Sequence, residues 1–353
     1  MSPHTAYEKM AESLAELEID EAGLRALRKT EWVVTEKIHG ANFALVADLG
    51  QAPIAIRPAK RKALLAPGED FFGHRALLDR IGENVRAAFE RIRAARPHAA
   101  SATLYGELFG GAYPHPDVPA CPGVEPVQTG IHYSPRIELS AFDIAVDEPG
   151  RGRVYLDHGD ALIVFKEAGL FCAEPLFVGP YEEAMAFPTE FDSTVPARLG
   201  LPPLGAPNPA EGVVVKPVKS LVVATRSGPL RPAVKRKIAR FSEDRRFHEA
   251  TKWAAPPRGM EPLAQLEWEM LALVTEARLQ ATVSKIGRVE TPGDERAREV
   301  LEAFVEEVWT GLSSAQPAAL ASIPAEERAL LRSVLDDEAR RLLDAHVRRP
   351  PGA

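Results

Sequence analysis

The hydrophobic pattern changes character near Trp253. Before that point apolar residues come mostly in short runs broken by glycine and proline. After it they recur every three or four residues, which is the spacing of helices packed by one face. Strand character marks Trp32 to Glu36, Phe43 to Ala47, Pro53 to Arg57, Ala102 to Leu108, Ile137 to Val146, Phe177-Val178, Glu211 to Pro217 and Val234 to Ile238. Helical spacing marks Tyr7 to Ile19, Ala76 to Ala95 and Leu156 to Ala168, and then Leu263 to Val283, Glu295 to Trp309 and Pro324 to His346. Tyr181 to Pro209 holds six prolines and reads as irregular. Ala254-Ala255-Pro256-Pro257 reads as a linker. The expectation is an α+β domain over residues 1–252 followed by a small all-helical domain over 253–353.

The 353 residues are 45% hydrophobic and 26% charged, enough for a full core. No apolar run is long enough to span a bilayer, and the N-terminus lacks the pattern of a signal peptide. Cys121 and Cys172 form no metal spacing and no disulfide framework. A cytoplasmic location without membrane contact is expected. Net charge is −7, which does not by itself advertise nucleic-acid binding. Its distribution is uneven. From Trp253 onward 12 Lys and Arg face 17 Asp and Glu, a net of −5, while the first 252 residues carry 31 against 33, a net of −2. Within the latter, basic residues cluster at Arg57 to Lys62 and from Arg231 to Arg246, so a phosphate backbone can still be held.

Glu36-Lys37-Ile38-His39-Gly40-Ala41-Asn42-Phe43 places a lysine where one strand gives way to the next through a turn, with Gly40 as the permissive residue. Downstream strands carry further charge at their ends. Lys235 and Lys237 share one strand face, opposite Val234 and Ile238. Glu211 shares a face with Val213 and Val215, and Tyr105 with Glu107. One lysine, two acids and a lysine pair suit a pocket for a phosphate and a divalent metal.

In order, these segments resemble the motifs of the covalent nucleotidyltransferases, the superfamily of polynucleotide ligases and RNA-capping enzymes. Within it they are most similar to the RNA ligase 2 family, the type of the phage T4 double-strand RNA ligase and the trypanosome RNA-editing ligases. The motifs are Glu36 to Asn42; Lys60-Arg61 with Gly68 to Gly73; Tyr105 to Gly110; Phe142-Asp143-Ile144; Glu211 to Pro217; and Val234 to Lys237 trailed by Arg240-Phe241-Ser242-Glu243. Each is weak alone, and six in order make a strong signal. Arg278 to Gly287 resembles the family's helical domain. DNA ligases and capping enzymes normally carry aspartate where His39 stands, which counts against those two alternatives. A catalytically silent RNA-binding relative is the other one.

The resemblance implies an ATP-grasp-like ligase domain of antiparallel sheets with flanking helices, and an ATP-dependent RNA ligase that seals 3′-OH and 5′-phosphate ends, chiefly nicks in duplex RNA. Lys37 would attack the α-phosphate of ATP and carry AMP covalently. Free lysine titrates near pH 10.4, so roughly one molecule in a thousand is reactive at neutral pH. A cation about 4 Å away at an effective dielectric of about 20 supplies about 4 kcal/mol toward lowering that value, or about three pH units. Lys235, Lys237 and a bound metal are candidates for it, and the two lysines would also neutralise the α-phosphate. By the same resemblance Phe142 stacks on adenine, Glu107 holds the ribose, and Glu211 binds Mg2+ or Mn2+. Arg61 contacts nucleotide or RNA phosphate, and Glu36 and Ile38 lie on the adenine side. His39 and Asn42 orient the triphosphate, and Lys216 touches phosphate. The helical domain would grip the duplex through Arg278, Lys285 and Arg288. A kinase or phosphatase partner that heals RNA ends is compatible with this scheme.

Overall fold

The computed structural model describes residues 4–226, 228–238, 241 and 262–348. The chain forms two compact units, Met1–Arg240 and Phe241–Ala353. The expected linker, the 252/253 boundary, Arg240 and residues 242–246 of the second basic cluster lie outside the described residues.

The first unit is built on two antiparallel sheets. One orders its strands β11-β8-β1-β7, and the other β3-β2-β4-β5-β6. The strands are β1 (Trp32–Glu36), β2 (Ala41–Asp48), β3 (Ala55–Lys60), β4 (Ser101–Ala112), β5 (Ser134–Glu148), β6 (Gly152–Tyr155), β7 (Pro175–Gly179), β8 (Gly212–Pro217) and β11 (Val234–Lys237). A separate hairpin pairs β9 (Val223–Thr225) with β10 (Gly228–Leu230). The helices are α1 (Glu21–Arg28), α2 (His74–Ala95), α3 (His158–Glu167), α4 (Tyr181–Ala186) and α5 (Val195–Arg198). Asp20 caps α1 by accepting from the Gly23 amide.

The first core gathers Leu27, Trp32, Val34, Val213, Val215 and Val234. Trp32 is fully buried because its indole N–H finds the Leu27 carbonyl at 2.9 Å. A second cluster, of Tyr7, Ala44, Val46, Ala59, Tyr105 and Ala145, belongs to the other sheet.

The chain passes from the first sheet to the second between Glu36 and Ala41. Gly40 is needed there for room rather than for its backbone angle, because a Cβ would sit 2.0 Å from the Leu108 carbonyl oxygen. The crossover therefore lies flat against β4.

Tyr7 to Ile19 is not an amphipathic helix. Only Ala15–Leu17 forms a single 3-10 turn. The apolar residues of this segment serve two different cores, Tyr7 and Met10 one, Leu14, Leu17 and Ile19 the other. Between them Ala11 bridges Val234, its carbonyl accepting from the Lys235 amide at 2.9 Å, and the chain then bends through Glu12 and Ser13.

The irregular stretch after Tyr181 contains the short helices α4 and α5. The expected helix from Leu263 to Val283 is two, Pro262–Leu271 and Glu276–Ile286, because Thr275 caps the second through a bond from the Arg278 amide. Glu295–Ala315, Pro317–Ser322 and Ala325–Arg348 complete the all-helical second unit, which buries Phe304, Val308, Leu312, Leu335 and Leu343. Among the described residues no helix is long and apolar enough to cross a membrane.

Candidate active site

Strand register decides which side chains meet. In the first sheet β8 lies between β1 and β11, with Thr35 and Lys235 both opposite Val214, and Glu36 and Arg236 both opposite Val213. Lys237 is opposite Gly212, and the Lys37 amide donates to the Gly212 carbonyl at 2.9 Å. Directly opposed residues share a face. Lys37, Lys235 and Lys237 therefore lie on one face, and Val213, Val215 and Val34 on the other, in the core.

Strict alternation would put Glu211 on the core face with Val213 and Val215, as expected from the sequence. The structure departs from this at Gly212. Its φ is +144°, and a Cβ there would sit 2.0 Å from the Arg236 carbonyl oxygen. The chain twists, and the Glu211 carboxylate turns to the lysine face. Lys37 Nζ donates to Glu211 Oε2 at 2.7 Å, and Lys237 Nζ lies 3.1 Å from Oε1. His39 Nδ1 is 3.6 Å from Oε2. The Glu211 side chain is 2% exposed. Burial alone would push its carboxyl up, but Lys37 and Lys237 override this and hold it well below the usual range.

Glu107 enters from β4, directly opposite Asn42 of β2. Burial pushes its carboxyl up to about 7; Lys37 pulls it down and Glu211 pushes it up further. Arg61 and Lys237 also lower it, so Arg61 belongs to the same electrostatic neighbourhood.

Phe142 stands at a β-bulge. Across β4 and β5, Tyr105 opposes Asp143 and Gly106 opposes Ala141, which leaves Phe142 without a partner. A bulge re-aims side chains. Here consecutive residues both reach Tyr7: the rings of Phe142 and Tyr7 meet edge-on at 5.0 Å, and the Tyr7 hydroxyl donates to Asp143 at 2.8 Å. Asp143 is fully buried and also takes Arg231 at 2.7 Å and Lys216 at 3.1 Å. Burial would raise its carboxyl, and these two cations hold it at about 2. Lys216 is thus committed beneath Phe142, whose carbonyl it also reaches at 3.1 Å.

Lys37, His39, Glu107, Glu211 and Lys237 converge, with Asn42 beside them. Lys235 lies on the same face, its Nζ 3.7 Å from Glu12. Glu36 is turned away. Its carboxylate is 7% exposed and accepts from Ser193 Oγ at 2.6 Å, from the Thr194 hydroxyl at 2.6 Å and from the Thr194 amide at 2.8 Å. Burial raises its carboxyl and these donors partly offset it. Ile38, also buried, lines with Glu36, Thr194, Val195 and Arg198 a cavity of about 100 Å3. Ser193, Thr194 and Tyr133, whose hydroxyl accepts from the His39 amide at 2.9 Å, were not foreseen from sequence. They lie far from the turn along the chain, and neither strand periodicity nor motif spacing signals them.

The donor set suits a metal brought by a nucleotide. Among the described residues no group of three or more His, Cys, Asp and Glu could hold an ion alone. Glu211 supplies one carboxylate, with Glu107 near it, and magnesium or manganese is commonly held by one or two carboxylates together with phosphate oxygens.

Comparison with known proteins identifies the family. A family model described as RNA ligase matches residues 30–255, and one described as T4 RNA ligase 2 C-terminal matches 258–341. The chain belongs to the RNA ligase 2 family. It is 35% identical over 204 residues to mitochondrial RNA-editing ligase 2 of Trypanosoma brucei brucei, covering 53% of this chain and 48% of the relative. It is 31% identical over 259 residues to mitochondrial RNA-editing ligase 1 of the same organism, covering 64% and 55%. The chain thus spans about half the length of the curated relatives it matches. Among solved structures, a Naegleria gruberi RNA ligase mutant with ATP and Mn matches at a TM-score of 0.43 and 13% identity, over 70% of this chain and 58% of that one.

Proposed function

We propose that this RNA ligase 2 family member is an ATP-dependent RNA ligase that works through AMP carried on Lys37. The observation that carries the reading is one buried carboxylate, Glu211, shared between Lys37 at 2.7 Å and Lys237 at 3.1 Å. It supports the reading because two amines and a carboxylate stand together, as a nucleophile, a second cation and a metal-binding acid would have to.

In the first step Lys37 Nζ, having lost a proton, attacks the α-phosphorus of ATP. The N–P bond forms as the α–β bridging P–O bond breaks, and pyrophosphate leaves with the electron pair. Lys237, and Lys235 on the same face, neutralise charge building on the α-phosphate oxygens. Phe142 offers its half-buried ring to adenine, and Glu107 is the acceptor for ribose hydroxyls. His39 and Asn42 lie beside Lys37 to orient the β- and γ-phosphates. Arg61 adds positive charge to the same pocket. The Glu36 side chain, turned away from the lysines and bound by Ser193 and Thr194, supports the turn from its other side, where Ile38 lines the neighbouring cavity. Lys216 acts through Asp143 and the Phe142 carbonyl, from beneath the stacking ring. A divalent cation bound through Glu211, magnesium or manganese, supplies further neutralisation of the phosphates.

In the second step the 5′-phosphate of an RNA displaces Lys37 from AMP and forms a 5′-5′ pyrophosphate. In the third a 3′-hydroxyl attacks that 5′-phosphate and releases AMP. In-line placement and charge neutralisation carry all three transfers. We propose nicks in duplex RNA as the preferred ends, with residues 1–252 as the adenylyltransferase domain and 253–353 as the RNA-end binding domain. In the latter Lys285 is already paired with Glu307 at 2.7 Å, so a grip on phosphate must compete with that acid. Ends lacking 5′-phosphate or 3′-hydroxyl would need a kinase or phosphatase first. Action in the cytoplasm is part of the same proposal.

The test is incubation with α-labelled ATP and magnesium, followed by a denaturing gel, and then sealing of matched nicked RNA, nicked DNA and single strands. Label on the wild-type chain and none on Lys37→Ala supports the reading. A wild-type chain that never takes label overturns it.

A further inference from the structure

The turn that carries Lys37 is held from both ends by residues that the proposed chemistry does not use. At one end Ser193 and Thr194 supply three hydrogen bonds to the Glu36 carboxylate. At the other the Tyr133 hydroxyl accepts the His39 amide at 2.9 Å. Tyr133 is 2% exposed. Its ring packs edge-on to Phe109 at 5.4 Å, and Phe109 follows Glu107 on the same face of β4. Its hydroxyl lies in the field of Glu36, Glu211 and Glu107.

Asn208 ties the two holders together. Its side-chain oxygen accepts from the His132 amide at 2.9 Å and its nitrogen donates to the His132 carbonyl at 2.7 Å, which fixes the residue before Tyr133. Its own amide donates to Asp192 at 2.9 Å, and its carbonyl accepts from the Ser193 amide at 2.9 Å. The proline-rich stretch thus braces the turn.

We propose that Tyr133, seated by Asn208, is a positioning residue for adenylylation that acts through His39. By fixing the His39 amide it keeps the imidazole beside Glu211, 3.6 Å away, where the leaving phosphates of ATP must pass. The inference rests on the proposed ATP-dependent activity. Substituting Tyr133→Phe removes one oxygen, keeps the ring against Phe109 and takes the Tyr133 hydroxyl from the His39 amide.

The experiment is a cycle of Tyr133→Phe, His39→Ala and the double variant, reading the rate of label transfer from ATP to Lys37 and the KM for ATP. Tyr133→Phe should slow transfer at saturating ATP by about tenfold, the usual scale for one lost charge-proximal hydrogen bond, with KM changed less. In the His39→Ala background the same substitution should cost less than about twofold. Asn208→Ala, which frees His132, should show the same dependence on His39 and serves if Tyr133→Phe does not fold. Equal losses in both backgrounds, or no loss in either, would overturn the proposal while wild-type labelling still upholds the activity. Absence of label on the wild type would instead overturn the activity itself.

Discussion

Glu36 and Lys37 are chain neighbours that face opposite ways. The Glu36 carboxylate is bound by Ser193 and Thr194, whereas the Lys37 amine is bound by Glu211 on the other side of the strand. A lysine fixed in this manner has little freedom to leave the sheet face it shares with Lys237. The arrangement separates two kinds of mutation, those that remove chemistry and those that loosen its support.

Removing chemistry should leave the fold intact. Lys37→Arg should take up no AMP from ATP, because a guanidinium is never free of its proton at working pH. Lys237→Ala should slow label transfer by about 10²–10³-fold, the scale of losing one preorganised charge at a reacting centre. Both should stay folded at the assay temperature, with Lys237→Ala melting lower because it takes one of two close lysines from the buried Glu211 carboxylate. Label transfer by single-turnover gel assay, with circular dichroism for the fold, checks both. A Lys237→Ala chain as fast as wild type would remove that lysine from the mechanism.

Loosening support should cost stability first. Glu36→Ala takes the acceptor from the Ser193 hydroxyl, the Thr194 hydroxyl and the Thr194 amide, which are half-buried. Unsatisfied buried donors cost about 1–3 kcal/mol. For a unit of this size about 2–4 °C of melting temperature corresponds to each kcal/mol. Thermal denaturation of Glu36→Ala should show such a drop, and Glu36→Gln, which keeps an acceptor, a smaller one.

Glu107 makes stability depend on pH. Its carboxyl sits at about 7 in the folded chain against 4.5 ordinarily, because burial outweighs the nearby lysines. Between those two values the folded chain holds a proton that the unfolded chain has released. Stability from this group is therefore full below about pH 4.5 and is lost as pH rises through about 7. Glu107→Gln should flatten that slope and melt above wild type at pH 8, by at most about 3 kcal/mol. Melting curves from pH 5 to 8 read the effect; parallel curves for the two chains would contradict it.

Asp143 works in the opposite sense. Its carboxyl is held at about 2 against 3.8 by Arg231 and Lys216, so its contribution is full above about pH 3.8 and is lost as pH falls toward 2. Asp143→Asn takes the carboxylate from buried Lys216 and leaves Arg231 with Glu8 at 3.3 Å as its carboxylate partner, a loss of about 3–5 kcal/mol. Urea titration at pH 7 should show a lower midpoint with an unchanged slope. It should also weaken ATP binding, since Lys216 and Tyr7 set Phe142 from beneath.

The chain itself determined the alternation that puts Lys235 and Lys237 on one strand face, the change from strands to helices in the second unit, and the succession of motifs through which the family is recognised. Those features repeat along a single segment, and local backbone geometry fixes them. Tertiary structure alone decided three others. The bulge at Phe142 exists because β4 and β5 slip by one residue there. Glu211 leaves the face of Val213 because Gly212 adopts a φ of +144° against the backbone of β11. Tyr133, Ser193 and Thr194 reach the Lys37 turn from 94, 157 and 158 residues along the chain from their partners in it, and Asn208 ties their segments together. Periodicity reports which way a side chain points from its own strand. It carries no information about which distant hydroxyl will arrive to meet a buried carboxylate, because that is set by packing between segments.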